Sequence, residues 1–128
     1  CYEKTIAWSE GFATFLSGVV SLDKNEDDAR FEFLVPRRAP IRLENVPDDV
    51  CKGQNNEWRV SAALWDLYDV HNDGADSVSV PFKIIWQALS RPEKSIGSMK
   101  DAADSLKQVS PQEYHQTIDS ALTHNTMF

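Results

Sequence analysis

From Ile6 to Leu22 the chain carries one charged residue, Glu10, in the segment Trp8-Ser9-Glu10-Gly11-Phe12-Ala13-Thr14-Phe15-Leu16; every other residue of the run is apolar, small or a neutral hydroxyl. Ile6, Trp8, Phe12, Phe15, Leu16 and Val19 recur at helical spacing and cover much of a helix circumference, so the run predicts a helix that other elements must bury. It approaches the length of a bilayer span. Glu10, the two glycines Gly11 and Gly18 and the hydroxyls nevertheless point to a core helix, and no membrane span is expected. A carboxylate in such a run is costly to bury in its ionised form, so it must be protonated, paired with a cation or bound to a metal.

The remaining pattern predicts a mainly α fold, a compact bundle of about five helices with a small β excursion between the first two. Residues 23–28 form an acidic turn, after which Phe31, Phe33 and Val35 alternate as a short strand would, with Ile41 and Leu43 as a pairing segment. Prolines at 36, 40 and 47 make the span from about Pro36 to Gln54 irregular. Val60, Leu64, Leu67 and Tyr68 on one side, with Trp58, Ala62 and Trp65 on another, predict a central helix capped by Asn55 or Asn56. Pro81 opens a third helix with Phe82, Ile85, Trp86 and Leu89 as its core stripe. Met99, Ala102, Ala103 and Leu106 mark a fourth. Ser110-Pro111-Gln112-Glu113 reads as a capping box opening a fifth, which carries Tyr114, Ile118, Ala121 and Leu122. All four tryptophans, Trp8, Trp58, Trp65 and Trp86, fall at core positions.

The 128 residues suit one domain, and a net charge of -7 with a pI near 4.8 repels nucleic acid and anionic lipid. Arg37, Arg38 and Arg42 make too small a basic patch to alter that. Acidic character suits cations instead. Between Arg59 and Lys83 no basic residue occurs, while Asp66, Asp69, Asp73 and Asp76 do, and Asp69-Val70-His71-Asn72-Asp73-Gly74 resembles the opening of a calcium loop. His71 at the third position and Val80 at the twelfth depart from a full EF-hand. The segment therefore reads as a turn whose aspartates cap flanking helices, with a weak calcium site on Asp69, Asp73 and Asp76 as the alternative. Cys1 and Cys51 permit a disulfide without requiring one. His71, His115 and His124 are scattered, and nothing beside Cys51 activates a thiolate.

Trp8-Ser9-Glu10-Gly11-Phe12-Ala13 resembles the ligand segment of gluzincin zinc metallopeptidases, above all their aminopeptidase branch, where a Trp-x-x-Glu-Gly-Phe-Ala-like helix supplies the third zinc ligand; here one residue fewer separates Trp from Glu. The helix order after Asn56 resembles the helical lobe that follows. The resemblance implies that Glu10 is the carboxylate ligand, that zinc is the cofactor once further ligands join it, and that peptides or proteins are substrates outside the cell or at its surface. It also implies that Gly11 and Ala13 let this helix approach an HExxH helix closely. No HExxH occurs in the chain, and Asn56 stands where aminopeptidases place a Tyr. Residues 1–128 are thus expected to be a single unit, the C-terminal piece of a larger metallopeptidase-like catalytic domain, inactive alone. The other reading is a non-catalytic helical protein-interaction module, with Glu10 facing solvent or paired with Lys4 or Arg59. Both readings expect an exposed apolar patch along the first helix, which a homodimer could cover.

Overall fold

The structure, a computed structural model, describes residues 3–22, 30–31, 41–44, 46–47, 50–68, 79–91 and 95–127. The opening run forms α1 (Lys4–Ser21), started by Glu3, whose carboxylate accepts from the Thr5 amide at 3.0 Å. Its buried side is Ala7, Trp8, Gly11, Phe15 and Gly18, and this side lies along α2 (Glu57–Tyr68). Two glycines set how closely the helices meet. A Cβ on Gly11 would sit 2.6 Å from Val60 Cγ1 and 2.8 Å from the Glu57 carbonyl; one on Gly18 would sit 2.6 Å from Leu43 Cδ1 and 3.1 Å from the Trp65 ring.

Every residue of α2 from Arg59 to Leu67 is buried, as its two apolar sides require: α1 covers one and α5 (His115–His124) the other. Val60, Leu64, Trp65 and Leu67 pack with Phe15, Leu43, Ile85, Met99, Leu106 and Ile118 in one core. Phe15, Tyr68 and Phe82 meet edge-on or tilted round a point where α1, α2 and α3 (Phe82–Leu89) converge, with ring centroids 6.0 to 6.4 Å apart. α4 (Met99–Val109) pairs with α3, and the Ser105 hydroxyl donates to the Ala88 carbonyl at 2.6 Å across that contact. Ser98 caps α4 by accepting from the Asp101 amide at 3.3 Å, while Asp101 accepts from the Gly97 amide at 3.1 Å. The mainly helical, five-helix architecture is therefore as the periodicity requires.

Several local expectations are corrected. Among the described residues, strand pairing amounts to two residues a side, β1 (Arg30–Phe31) antiparallel to β2 (Ile41–Arg42); the positions of Phe33 and Val35 lie outside the described residues. Pro81 flanks α3 with extended backbone, φ -56° and ψ 137°, and the helix proper begins one residue later. The core face of α3 is Ile85, Ala88 and Leu89; Trp86 is 46% exposed and stacks on Phe82. Trp58 is half-buried. No capping box opens α5: the chain enters through a 3₁₀ turn at Gln112–Tyr114, Glu113 is exposed, and the buried Ser110 hydroxyl takes no hydrogen bond. The His115 ring lies 3.3 Å from the Ser110 carbonyl instead.

α5 ends with Thr126 at φ 58°, the left-handed region that a β-branched residue seldom enters. Its hydroxyl accepts from the Gly53 amide at 3.2 Å, and Gly53 itself takes φ 87°. No helix among the described residues is long and apolar enough to cross a membrane.

Candidate metal-ligand face

With the Gly11 side of α1 committed to α2, helical geometry leaves Ile6, Ser9, Glu10, Ala13, Ser17 and Val20 on the opposite side, all exposed. Ile6 is 51% exposed and Val20 86%. Glu10 is thus solvated, and the expectation that it is buried and in need of a compensating cation is corrected: water meets its charge. Among the described residues its carboxylate takes no hydrogen bond and no ion pair. Gly11 also plays a different part from the one expected, since the close approach it permits is to Val60 of α2. Ala13 stays on the open side.

The charge of Glu10 is felt by Glu57, the first residue of α2. Burial pushes the Glu57 carboxyl above its ordinary value of 4.5, and the negative charge of Glu10 adds to that rise. Two carboxylates on neighbouring helices therefore bring like charge to the edge of the open face.

A dense set of hydrogen bonds fixes the helix that carries Glu57. The Asn56 side-chain carbonyl accepts from the Trp58 amide at 2.8 Å and the Arg59 amide at 3.3 Å, the N-cap anticipated for one of the two asparagines. Its Nδ2 donates to the Cys51 carbonyl at 2.9 Å and lies 3.3 Å from Cys51 Sγ. Arg59, considered above as a partner for Glu10, is 5% exposed and turned to backbone: its Nε donates to the Cys51 carbonyl at 3.0 Å, and its Nη2 to the carbonyls of Pro47 and Val50 at 3.4 Å each. Nothing in the sequence marked that clamp except an arginine between Trp58 and Val60 in an otherwise buried helix. Cys51 is disulfide-bonded; Cys1, the other cysteine of the chain, lies outside the described residues.

Asp69, Asp73 and Asp76, with His71, also lie outside the described residues. Asp66 is buried at the end of α2 and accepts from Asn125 Nδ2 at 2.6 Å, a tie between α2 and the C-terminal end of α5. Among the described residues no group of three or more His, Cys, Asp or Glu is placed to hold a metal ion.

A family model described as the mycolysin C-terminal domain matches residues 2–120, which include α1, the whole of α2 with its capping loop, α3, α4 and the start of α5. Comparison with curated proteins and with solved structures finds no match. With nearly its full length under that model, the chain belongs to the mycolysin C-terminal domain family, a C-terminal part of a metallopeptidase.

Proposed function

We propose that residues 1–128 act as one unit, the C-terminal helical part of a zinc-dependent, gluzincin-type metallopeptidase domain, and that Glu10 is its carboxylate zinc ligand. The observation that carries this reading is the family match over residues 2–120, taken with the resemblance of the Glu10 segment to a gluzincin ligand helix; Glu10 lies on the exposed side of α1, within electrostatic reach of Glu57. The donor set fits a single-ligand role: a catalytic zinc site uses three protein ligands and keeps a fourth position for water, so two imidazoles must come from a segment carrying HExxH. Glu10 would be one of the residues holding the zinc, which would when bound make a water acidic enough to act on a peptide carbonyl. The work of this chain is positional. α1 is locked through Gly11 and Gly18, so Glu10 is presented from a rigid element, and Glu57 adds negative charge beside it. Without the HExxH histidines and their general base, the chain alone does not cleave peptides.

Peptides or proteins are the substrates on this reading. A disulfide at Cys51 supports an extracellular or cell-surface setting, where thiols stay oxidised. The test uses the polypeptide that includes the HExxH segment: Glu10→Gln should lose stoichiometric zinc and nearly all peptide hydrolysis, while zinc added to residues 1–128 alone should bind weakly. Retention of full zinc content by the Glu10→Gln protein would sink the assignment. A second reading, a helical interaction module, draws on the exposure of Ile6 and Val20 on the same face. Sedimentation of residues 1–128 as a dimer that Val20→Lys dissolves would favour it.

A further inference from the structure

We propose that Thr126 is a positioning residue: its hydroxyl latches the turn at Gly53 to the end of α5, and through that turn sets how α2 begins and where Glu57 stands beside Glu10. No zinc enters this coupling, which belongs to the chain itself.

The end of α5 fixes the position of that hydroxyl without help from the turn. The Thr126 amide donates to the Thr123 carbonyl at 3.0 Å and the Met127 amide to the Leu122 carbonyl at 2.9 Å, the paired closing bonds of a helix that ends in the left-handed region. On one side of Thr126, Asn125 is 4% exposed, and its Nδ2 donates to Asp66 Oδ2 of α2 at 2.6 Å and to the Ala121 carbonyl at 2.9 Å. On the other, Met127 is 3% exposed and belongs to the core. Thr126 is thus held from both flanks. The closing bonds need no side chain at position 126, and glycine would make them at φ 58° without the crowding that a β-branched residue meets there. What the threonine adds is the oxygen it offers to Gly53.

From that oxygen the path to the cap of α2 is two hydrogen bonds long. The Gly53 amide donates to Thr126 Oγ1 at 3.2 Å, and the Gly53 carbonyl accepts from the Asn56 amide at 3.2 Å. Both polar groups of one residue are engaged, the first by α5 and the second by the residue that caps α2. Asn56 Oδ1 then accepts from the Trp58 and Arg59 amides in the first helical turn, which starts with Glu57. The turn also rests on the backbone at the end of α5, since a Cβ on Gly53 would stand 3.7 Å from the Thr126 carbonyl oxygen. Other bonds of this segment reach elsewhere: Asn56 Nδ2 and the Arg59 side chain bind carbonyls of residues 47, 50 and 51, which joins the segment to the helix it caps. They hold loop and helix start together as one piece. The Thr126 hydroxyl fastens that piece to α5.

The experiment is amide hydrogen exchange and nuclear magnetic resonance of residues 1–128, with the Cys51 disulfide closed throughout, run beside thermal unfolding. In Thr126→Gly the closing bonds of α5 survive, the crowding goes and the hydroxyl is lost. The Gly53 amide should then exchange at least about tenfold faster, and the Asn56, Glu57 and Trp58 amide signals should move. The unfolding midpoint should stay near the parent's, because relieved crowding offsets the lost bond. Thr126→Ser, which keeps the hydroxyl, should return Gly53 exchange and those signals to the parent values. Unchanged Gly53 exchange in Thr126→Gly would overturn the proposal, because the segment's own bonds and the disulfide would then suffice to hold the turn. Change confined to Gly53, with the Asn56 and Trp58 signals in place, would overturn the coupling to α2. A lower midpoint with faster exchange throughout α2 would also overturn it, since Thr126 would then serve the whole fold, and so would failure of serine to restore the signals. Glu10 takes no part in these readouts, so they stand or fall apart from its assignment as a zinc ligand.

Discussion

The outer faces of α1 and α4 both meet water, yet they are built differently. α4 exposes Lys100, Asp104 and Gln108, with Lys100 and Asp104 3.8 Å apart one turn from each other, while Lys107 pairs with Asp119 of α5. That is how a helix face is made for solvent. α1 exposes Ile6, Ser9, Ala13, Ser17 and Val20 around a single carboxylate. Small and apolar side chains present a smooth surface on which another helix can lie close, and the one charge in the middle is the residue proposed to bind metal. The difference is one of composition: α1 is packed on one side and leaves small and apolar side chains on the other, the side on which the proposed function places a further segment.

The sharpest way to break the comparison is at Gly11. A methyl group there has no space against Val60 and the Glu57 carbonyl, so Gly11→Ala should lower the unfolding free energy by about 1–3 kcal/mol in a denaturant titration, as overpacked cores do. Ala13→Leu, two residues along on the open side, should change it by less than about 0.5 kcal/mol. Equal losses at both positions would mean that the open face is already covered. Gly18→Ala ranks next. Its first obstruction is the far end of the Leu43 side chain, which can give way, so a loss of about 1 kcal/mol is expected, at the low end of the overpacking range.

Acid titration sharpens the comparison at the Glu10 and Glu57 edge. The folded Glu57 carboxyl titrates above its unfolded value, so its contribution to stability is fully present below 4.5 and is lost as the pH rises through the raised folded value. Glu57→Gln should flatten the stability profile in that window. Glu10→Gln should bring the Glu57 titration, followed by carboxyl carbon resonance, part of the way back toward 4.5, because burial, the larger cause, remains. An unmoved curve would show that the two carboxylates do not sense each other. The smallest effect belongs to Val20→Lys, whose stability should stay within about 0.5 kcal/mol of the parent in thermal unfolding.

Helix existence and order were legible in the sequence because apolar residues at three- and four-residue spacing leave few alternatives, and Asn56 advertised its cap by standing just ahead of such a run. The orientation of α1 was not. A helix apolar around most of its circumference does not reveal which side faces its neighbour, and Gly11 and Ala13 are equally small, so only the structure separates the residue pressed on Val60 from the one left open. Trp86 misled for a related reason: it shares a stripe with Phe82 and Leu89, but the burial of Ile85, Ala88 and Leu89 turns α3 by about one residue and leaves the indole at the rim. Ser110 offered the right residue types for a capping box, and a 3₁₀ entry took the geometry away. Glu10 was conspicuous as the lone charge of its run. The reason lay in an exposed position that hydropathy alone had disguised as a buried one.

The hydroxyl of Thr126 holds the Gly53 amide from 73 positions away, at a backbone angle that a threonine adopts only when something nearby rewards it. This peg lies past residue 120, where the family match stops. Removing Thr126 would thus loosen the bend at Gly53, so residues beyond the matched span act as a doorstop for the turn just ahead of Asn56.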